Sequence, residues 1–216
     1  MSSLKKKLSP SIVKRLPRYF SRVKALHDEG VEWVSSSELA ERLGLTSSTV
    51  RQDFSCFSFS GISKRGYEVS GLLKMLEDIL GAGMEWKVIV VGAGNLGRAL
   101  TSHDEFVRRG FNIVGIFDAD ESKQGTKIGT VKVQAMSGLK DFVNKNEIDM
   151  GIIAVPDSAA QEVADLLIDA GIKGLLNMTM AHINAPDNIS VADSRIVASL
   201  QQLSHCMLFS CRRKYT

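Results

Sequence analysis

Residues 87–100 read "KVIVVGAGNLGRAL", an apolar run followed by glycines at positions 92, 94 and 97. The run predicts a buried strand, and the glycines a turn that opens a helix reaching about Arg109. Gly92 allows the tight turn, Gly94 lets the backbone approach a pyrophosphate, and Gly97 lets the helix pack on the strand. The N-terminus of that helix would then face the phosphates. A second apolar run, "FNIVGIFDAD" (111–120), ends in Asp118, 21 residues beyond Gly97. A carboxylate there accepts both hydroxyls of an adenosine ribose and disfavours a 2′-phosphate, so NAD(H) is expected over NADP(H).

The rhythm continues downstream. "GTVKV" (129–133) predicts a strand, "GLKDFVNKN" (138–146) a helix and "IDMGIIAVP" (148–156) a buried strand. "SAAQEVADLLIDAGIKG" (158–174) predicts a helix ended by Gly171, and "GLLNM" (174–178) a further strand. Alternation of this kind implies an α/β fold, a Rossmann-type doubly wound parallel sheet with right-handed crossovers. Ligands bind at the carboxyl ends of such strands, which adds Ala154, Val155, Pro156 and Asn177. The candidate cofactor-binding residues are Gly92, Ala93, Gly94, Asn95, Leu96, Gly97, Asp118, Lys123, Val155, Pro156 and Asn177, together with His103. The tail "SRIVASLQQLSHCMLFSC" (194–211) is apolar at Ile196, Leu200, Leu203, Met207 and Leu208, a helical spacing. It predicts a helix available to a partner subunit.

The N-terminal part has a different character. The chain carries 27 Lys and Arg against 24 Asp and Glu, a net charge of +3, yet eight basic residues and no acid precede Asp28. That bias favours a polyanion as partner. "SPSIVKRLPRYFSRVKALHDEG" predicts a first helix, with Ser9 as cap, Pro10 at its first position and Gly30 at its end. Pro17 lies inside the pattern and should kink or split the helix. Its polar face holds Lys14, Arg15, Arg18, Arg22 and Lys24. Ser35 and Glu38 have capping-box spacing and open a second helix, which Gly44 turns into a third, capped by Thr46. Ala40, Gly44 and Val50 are the small, turning and branched residues of a helix-turn-helix.

In that arrangement the third helix reads DNA, with Ser47, Ser48, Thr49, Arg51 and Gln52 on its polar side. "CFSFSGISKRGYEV" (56–69) predicts a hairpin wing whose basic tip touches phosphates or the minor groove. The candidate DNA-binding residues are Arg15, Arg18, Ser47, Ser48, Arg51, Gln52, Lys64, Arg65 and Tyr67. "GLLKMLEDILGAG" (71–83) closes the segment as a short helix with a glycine hinge.

Several classes are set aside. Cys56, Cys206 and Cys211 form no metal-ligand or CxxC spacing, so no metal is expected and a reducing cytoplasm is. No apolar run has the roughly 20 residues of a membrane helix, and Lys5-Lys6-Lys7 has no apolar stretch behind it, so neither a membrane nor a secretory signal is expected. A dehydrogenase would need an acid or base beside the nicotinamide; His103 and His182 are the candidates, and no partner acid is evident near Asn177. His27 and His205 fall within helical patterns. Catalysis is therefore not expected, and no residue is assigned as catalytic.

Nearly the whole chain resembles the Rex family of bacterial redox-sensing transcriptional repressors. The blocks that carry the likeness are "RLPRYFSRVKAL", Val34-Ser35-Ser36 followed by "ELAERLGLT", "VRQDFSCF", "GAGNLGRAL", "FDAD", "AVPDSAAQEVADLLIDAGIKGLLN" and "SLQQLS". The resemblance implies a winged-helix domain (1–83), a Rossmann domain for NADH or NAD⁺ (84–193) and a C-terminal helix and tail (194–216) exchanged in a homodimer. It further implies binding to palindromic double-stranded operator DNA, released when NADH rises relative to NAD⁺. Such sensing is a matter of differential binding rather than turnover. Two other readings stand beside it, a DNA-binding relative that holds a nucleotide without redox response and an NAD-dependent dehydrogenase. The chain departs from the family pattern at four places. Ser58 stands for a usual glycine, with the basic wing tip rearranged. His103 stands for a tyrosine, "NMTM" (177–180) for an aromatic and a proline after Asn177, and Arg195 for an aspartate.

Overall fold

The computed structural model describes residues 8–209, so Lys5-Lys6-Lys7 and Cys211 lie outside the described residues. Two compact units emerge, one holding residues 8–83 and 206–209, the other Met84–His205. No described helix is long and apolar enough to cross a membrane.

In the first unit, α1 (Pro10–Asp28) is capped by Ser9 and buries Ile12, Leu16, Tyr19, Val23 and Leu26 along one stripe. Contrary to the sequence expectation, Pro17 does not split this helix. Both Pro17 and Val13, whose carbonyl loses its i+4 donor, lie on the exposed side. The carbonyl left without its donor is open to solvent there, so losing that bond costs little. A two-residue strand β1 (Trp33–Val34) leads into α2 (Ser36–Leu43). Its capping box is complete: Glu38 N–H donates to Ser35 Oγ at 3.1 Å, and Ser35 N–H donates to Glu38 Oε2 at 2.8 Å. Those bonds hold the Glu38 carboxyl below the usual carboxylate range. Gly44 closes α2 at φ +64°.

Helix α3 (Ser47–Cys56), capped by Thr46, buries Val50 and Phe54. The expected hairpin wing is reduced to a single bridge between Ile62 and Gly66. Strand β2 (Tyr67–Glu68) instead pairs antiparallel with β1, and α4 (Val69–Leu80) completes the unit. One apolar cluster holds these elements together.

The C-terminal end of α3 explains the glycine departure at position 58. Ser58 N–H donates to the Ser55 carbonyl and Phe59 N–H to the Phe54 carbonyl, the paired bonds of a Schellman turn. Ser58 sits at its left-handed position with φ +56°. A side chain there costs about 1 kcal/mol. Ser58→Gly should therefore raise the melting temperature of this unit by a few degrees, read by thermal denaturation.

The second unit is a seven-stranded sheet in the order β5-β6-β4-β3-β7-β8-β9. Its strands are β3 (Trp86–Val91), β4 (Phe111–Asp118), β5 (Lys127–Ile128), β6 (Val131–Ala135), β7 (Met150–Ile153), β8 (Gly174–Asn177) and β9 (Ser190–Asp193). All neighbours are parallel except β5 with β6. Apart from β5 this is the doubly wound Rossmann order, whose switch point falls between β3 and β7. Helices α7 (Leu139–Asn146) and α8 (Ala160–Asp169) supply the apolar cover of one face.

One expectation is corrected. The first crossover helix does not run unbroken to Arg109 but divides into α5 (Asn95–Thr101) and α6 (Asp104–Arg108). His103 caps α6 by accepting the Glu105 N–H on Nδ1 at 3.2 Å. The last helix, α9 (Ile196–Leu208), contains no buried residue.

Candidate functional site

The three glycines of the phosphate loop do three different things. Gly92 has φ +107°, and a Cβ there would overlap the Ala154 carbonyl oxygen. Its N–H donates to the Phe117 carbonyl at 2.7 Å, fixing the turn after β3 against the end of β4. A Cβ on Gly97 would overlap the Gly92 carbonyl oxygen, so the loop folds back directly on α5. Around Gly94 a Cβ would meet nothing within 4 Å. This is a cradle bare of side chain, at the start of a helix whose first turn has no side-chain cap. Asn95 and Leu96 are exposed at its edge, and Ala93 is buried beneath. A pyrophosphate fits such a place, with backbone N–H groups as donors.

At the end of β4, Asp118 is only 8% exposed. Burial opposes its ionisation, but hydrogen bonds outweigh that and hold the carboxyl below its ordinary range. Oδ1 accepts the Asp120 N–H at 2.8 Å. Oδ2 accepts the Ala93 N–H at 2.6 Å and Lys123 Nζ at 3.2 Å. Lys123 also lies 3.5 Å from Asp120 Oδ2. The carboxylate is therefore fixed to the glycine loop and keeps acceptor capacity on Oδ1 for a ribose hydroxyl. The donor set fits the adenosine end of NAD(H). At the end of β7, Val155 is half-buried and Pro156 exposed. The Ala154 N–H donates to the Val91 carbonyl at 2.8 Å, joining this strand end to the loop.

Two of the expected cofactor residues make bonds within the protein. Asn177 is fully buried. Its Nδ2 donates to the Ala181 carbonyl at 2.8 Å and to Asp193 Oδ1 at 2.9 Å. Its Oδ1 accepts the Thr179 N–H and hydroxyl at 3.0 and 2.8 Å. Asn177 thus ties the loop after β8 to β9 and has no donor left for a ligand. Asp193, a residue the sequence reading did not single out, also pairs with Arg195 at 3.2 Å. His103, at the far end of α5, lines an open depression of about 350 Å³ with Ser102, Asp104, Glu105 and Arg108.

In the first unit the reading helix presents Ser48, Arg51 and Gln52 to solvent, with Ser47 half-exposed. Arg51 makes one long bond, from Nη1 to Ser36 Oγ at 3.3 Å. Lys64 and Arg65 are exposed on the wing. Three other expected DNA contacts have partners within the unit. Arg15, itself partly exposed, donates from Nε and Nη2 to the two oxygens of the buried Asp53, both at 2.7 Å. Arg18 donates to the Leu43 carbonyl at 2.7 Å, at the end of α2. Tyr67 is 6% exposed, with its ring edge-on to Phe54 and stacked on Phe59. Burial pushes its hydroxyl pKa up. Among the described residues, no group of three or more His, Cys, Asp or Glu side chains could hold a metal ion.

Comparison with known proteins adds the following. Residues 7–55 match a family model described as a putative DNA-binding protein N-terminus, and residues 84–181 one described as a CoA binding domain. The redox-sensing transcriptional repressor Rex of Caldicellulosiruptor saccharolyticus is 43% identical over 201 residues, 93% of this chain and 92% of that protein. Redox-sensing transcriptional repressor Rex 1 of Thermotoga maritima is 43% identical over 199 residues, 92% of this chain and 95% of its own. Among solved structures, RSP in complex with β-NAD⁺ and operator DNA superposes with a TM-score of 0.88 at 36% identity, covering 94% of each chain. RSP in complex with β-NADH gives 0.84 at the same identity, over 94% of this chain and 95% of that one. Identity at this level, over nearly the full length of both partners, makes this chain a member of the Rex family of redox-sensing transcriptional repressors.

Proposed function

We propose that this protein is a cytoplasmic homodimeric repressor that holds palindromic operator DNA with NAD⁺ bound and releases it when NADH replaces NAD⁺. The observation that carries the reading is the bare Gly94 cradle beside an ionised, loop-anchored Asp118. That carboxylate selects the cofactor. A ribose with free 2′ and 3′ hydroxyls donates to it, whereas the 3′-phosphate of coenzyme A or the 2′-phosphate of NADP would set a dianion against it. The cofactor-binding residues are then Gly92, Ala93, Gly94, Asn95, Leu96, Gly97, Asp118 and Lys123, with Val155 and Pro156 at the nicotinamide side. DNA is read by Ser47, Ser48, Arg51 and Gln52, with Lys64 and Arg65 on the backbone. Reduced and oxidised cofactor differ by a hydride and a charge, and supply only a difference in binding energy between two arrangements of the dimer.

Helix α9 supports the dimer. Ile196, Leu200, Leu203 and Met207 follow one face and are 56–76% exposed. Such a stripe is covered by the same stripe of a second copy, as two operator half-sites require.

The test is binding, at fixed salt, to the palindromic duplex this protein enriches from a randomised pool. Affinity should fall at least tenfold as NADH replaces NAD⁺, a differential of about 1.4 kcal/mol. Coenzyme A should not compete. A second reading rests on Arg195, which stands where the family usually has aspartate and is committed to Asp193. Tight operator binding indifferent to both cofactor forms would establish that reading, in which the nucleotide is structural.

A further inference from the structure

Arg65 lies with its guanidinium carbon 4.0 Å from the centre of the Trp33 ring. The two side chains come from different elements, the wing and strand β1, and 32 residues separate them. We propose that Trp33 is a positioning residue for DNA recognition, a platform that holds Arg65 flat and aims its edge at the phosphate backbone. This rests on the DNA-binding reading and deepens it by naming what orients the wing.

The wing's backbone is ordered by its own hydrogen bonds, which place the Arg65 backbone but leave its long exposed side chain without a backbone partner of its own. Ile62 and Gly66 exchange two bonds across the tip, of 2.7 and 2.9 Å, and the Arg65 N–H donates to the Ile62 carbonyl at 3.1 Å. Three residues lie between them, and the middle one, Lys64, takes φ +64°. The base is fixed in place by close approach. A Cβ on Gly66 would overlap the Val34 carbonyl oxygen, and one on Gly61 would come within 2.8 Å of the Gly66 carbonyl oxygen. The chain therefore crosses directly over β1, and Arg65, next to Gly66, lands on the ring of Trp33, next to Val34. An arginine stacked on an aromatic face keeps its in-plane N–H donors available, and those are the ones a phosphate oxygen accepts. Stacking removes rotamers before the DNA arrives, which lowers the ordering cost of the contact.

The same junction serves the reading helix. Ser36, three residues beyond Trp33, accepts the Nη1 donor of Arg51. One short segment, residues 33–36, thus touches both the wing cation and the base-reading cation. Lys64 is exposed and left-handed, and the pattern assigns it no partner of this kind.

The experiment is a double-mutant cycle on the full chain, using Trp33→Ala, Arg65→Ala and the pair. Binding to the palindromic duplex enriched by the wild-type protein is followed over a salt series, with melting temperature measured in parallel. Trp33→Ala should weaken binding about 3- to 10-fold and reduce the salt slope by about 1, as the loss of one phosphate contact does. The double variant should bind no worse than Arg65→Ala alone, and Trp33→Phe should recover part of the loss, since phenylalanine also offers a ring face. Additive effects, or a lowered melting temperature with affinity and salt slope unchanged, would overturn the platform. If Trp33→Ala fails to fold, Trp33→Phe against Arg65→Ala carries the same cycle with a smaller expected loss. Wild-type protein that binds no duplex at any salt overturns the DNA-binding reading and the platform with it, whereas additive losses on an intact operator complex overturn the platform alone.

Discussion

Asp53→Ala is expected to destabilise the N-terminal unit by about 3 kcal/mol and so to remove operator binding near its working temperature. Asp53 is 3% exposed and receives three hydrogen bonds: two from Arg15 and one from the Tyr19 hydroxyl, each 2.7 Å long. Tyr19 is itself fully buried. Truncating the carboxylate leaves its hydroxyl without an acceptor and the guanidinium without a counter-charge. The Arg15 side chain is 22% exposed, so water recovers part of that loss, which places the cost at the lower end for a broken buried pair. Tyr19→Phe removes one bond and one donor together and should cost only about 1 kcal/mol. The same triad gives an alkaline signature. Burial first, then the hydrogen bond to Asp53, raises the Tyr19 pKa well above its ordinary 10.0. A raised pKa contributes stability that is complete below the unfolded value and fades as pH climbs beyond it. Wild-type stability should therefore hold through neutral pH and fall above about pH 10, and Tyr19→Phe should flatten that fall. Thermal denaturation of the three proteins across pH decides the matter; an unchanged melting temperature in Asp53→Ala would mean the triad holds nothing.

This triad also shows where sequence reading stopped. Caps and periodicity are local, and they were legible: Ser35 with Glu38, the left-handed Gly44, the Thr46 cap and the apolar stripe of α1 all stand where the sequence put them. Arg15 was read as part of a basic face because nothing within a helical turn of it is acidic. Its partner lies 38 residues away, and no spacing rule reaches that far. Tyr67 follows the basic wing tip and so reads from sequence as a DNA contact, whereas β1 and β2 pair and turn its ring into the core. In the second unit the glycine fingerprint and Asp118 could be read because each obeys a fixed offset along the chain. The break in the first crossover helix did leave a signal, since His103-Asp104-Glu105 is a polar cap followed by acids in a first turn. Strand β9 left none. Its four residues are all exposed, and it is a strand only because β8 pairs with it along its whole length.

The glycine loop allows folding and cofactor binding to be separated by two single methyl groups. At Gly97 a Cβ would overlap the Gly92 carbonyl oxygen and sit 3.0 Å from its carbon, both backbone atoms of the turn just after β3. Neither can move without breaking the Gly92 N–H bond to Phe117. Gly97→Ala should therefore destabilise the second unit by about 3 kcal/mol, within the range seen when a packed core is overfilled, and abolish NADH binding as a consequence. At Gly94 the same methyl group meets nothing within 4 Å, and the backbone is not left-handed. Gly94→Ala should fold with a melting temperature within a few degrees of wild type. It places its methyl in the space a pyrophosphate needs, and should weaken NADH at least 100-fold, about 2.7 kcal/mol. Fluorescence titration with NADH, beside thermal denaturation, reads both variants. Loss of affinity at Gly94 with stability intact would locate the phosphates at this loop. Equal affinity in Gly94→Ala and wild type would mean that the dinucleotide, if held at all, approaches the sheet elsewhere, and Asp118 would then be a structural anchor for the loop rather than a ribose acceptor.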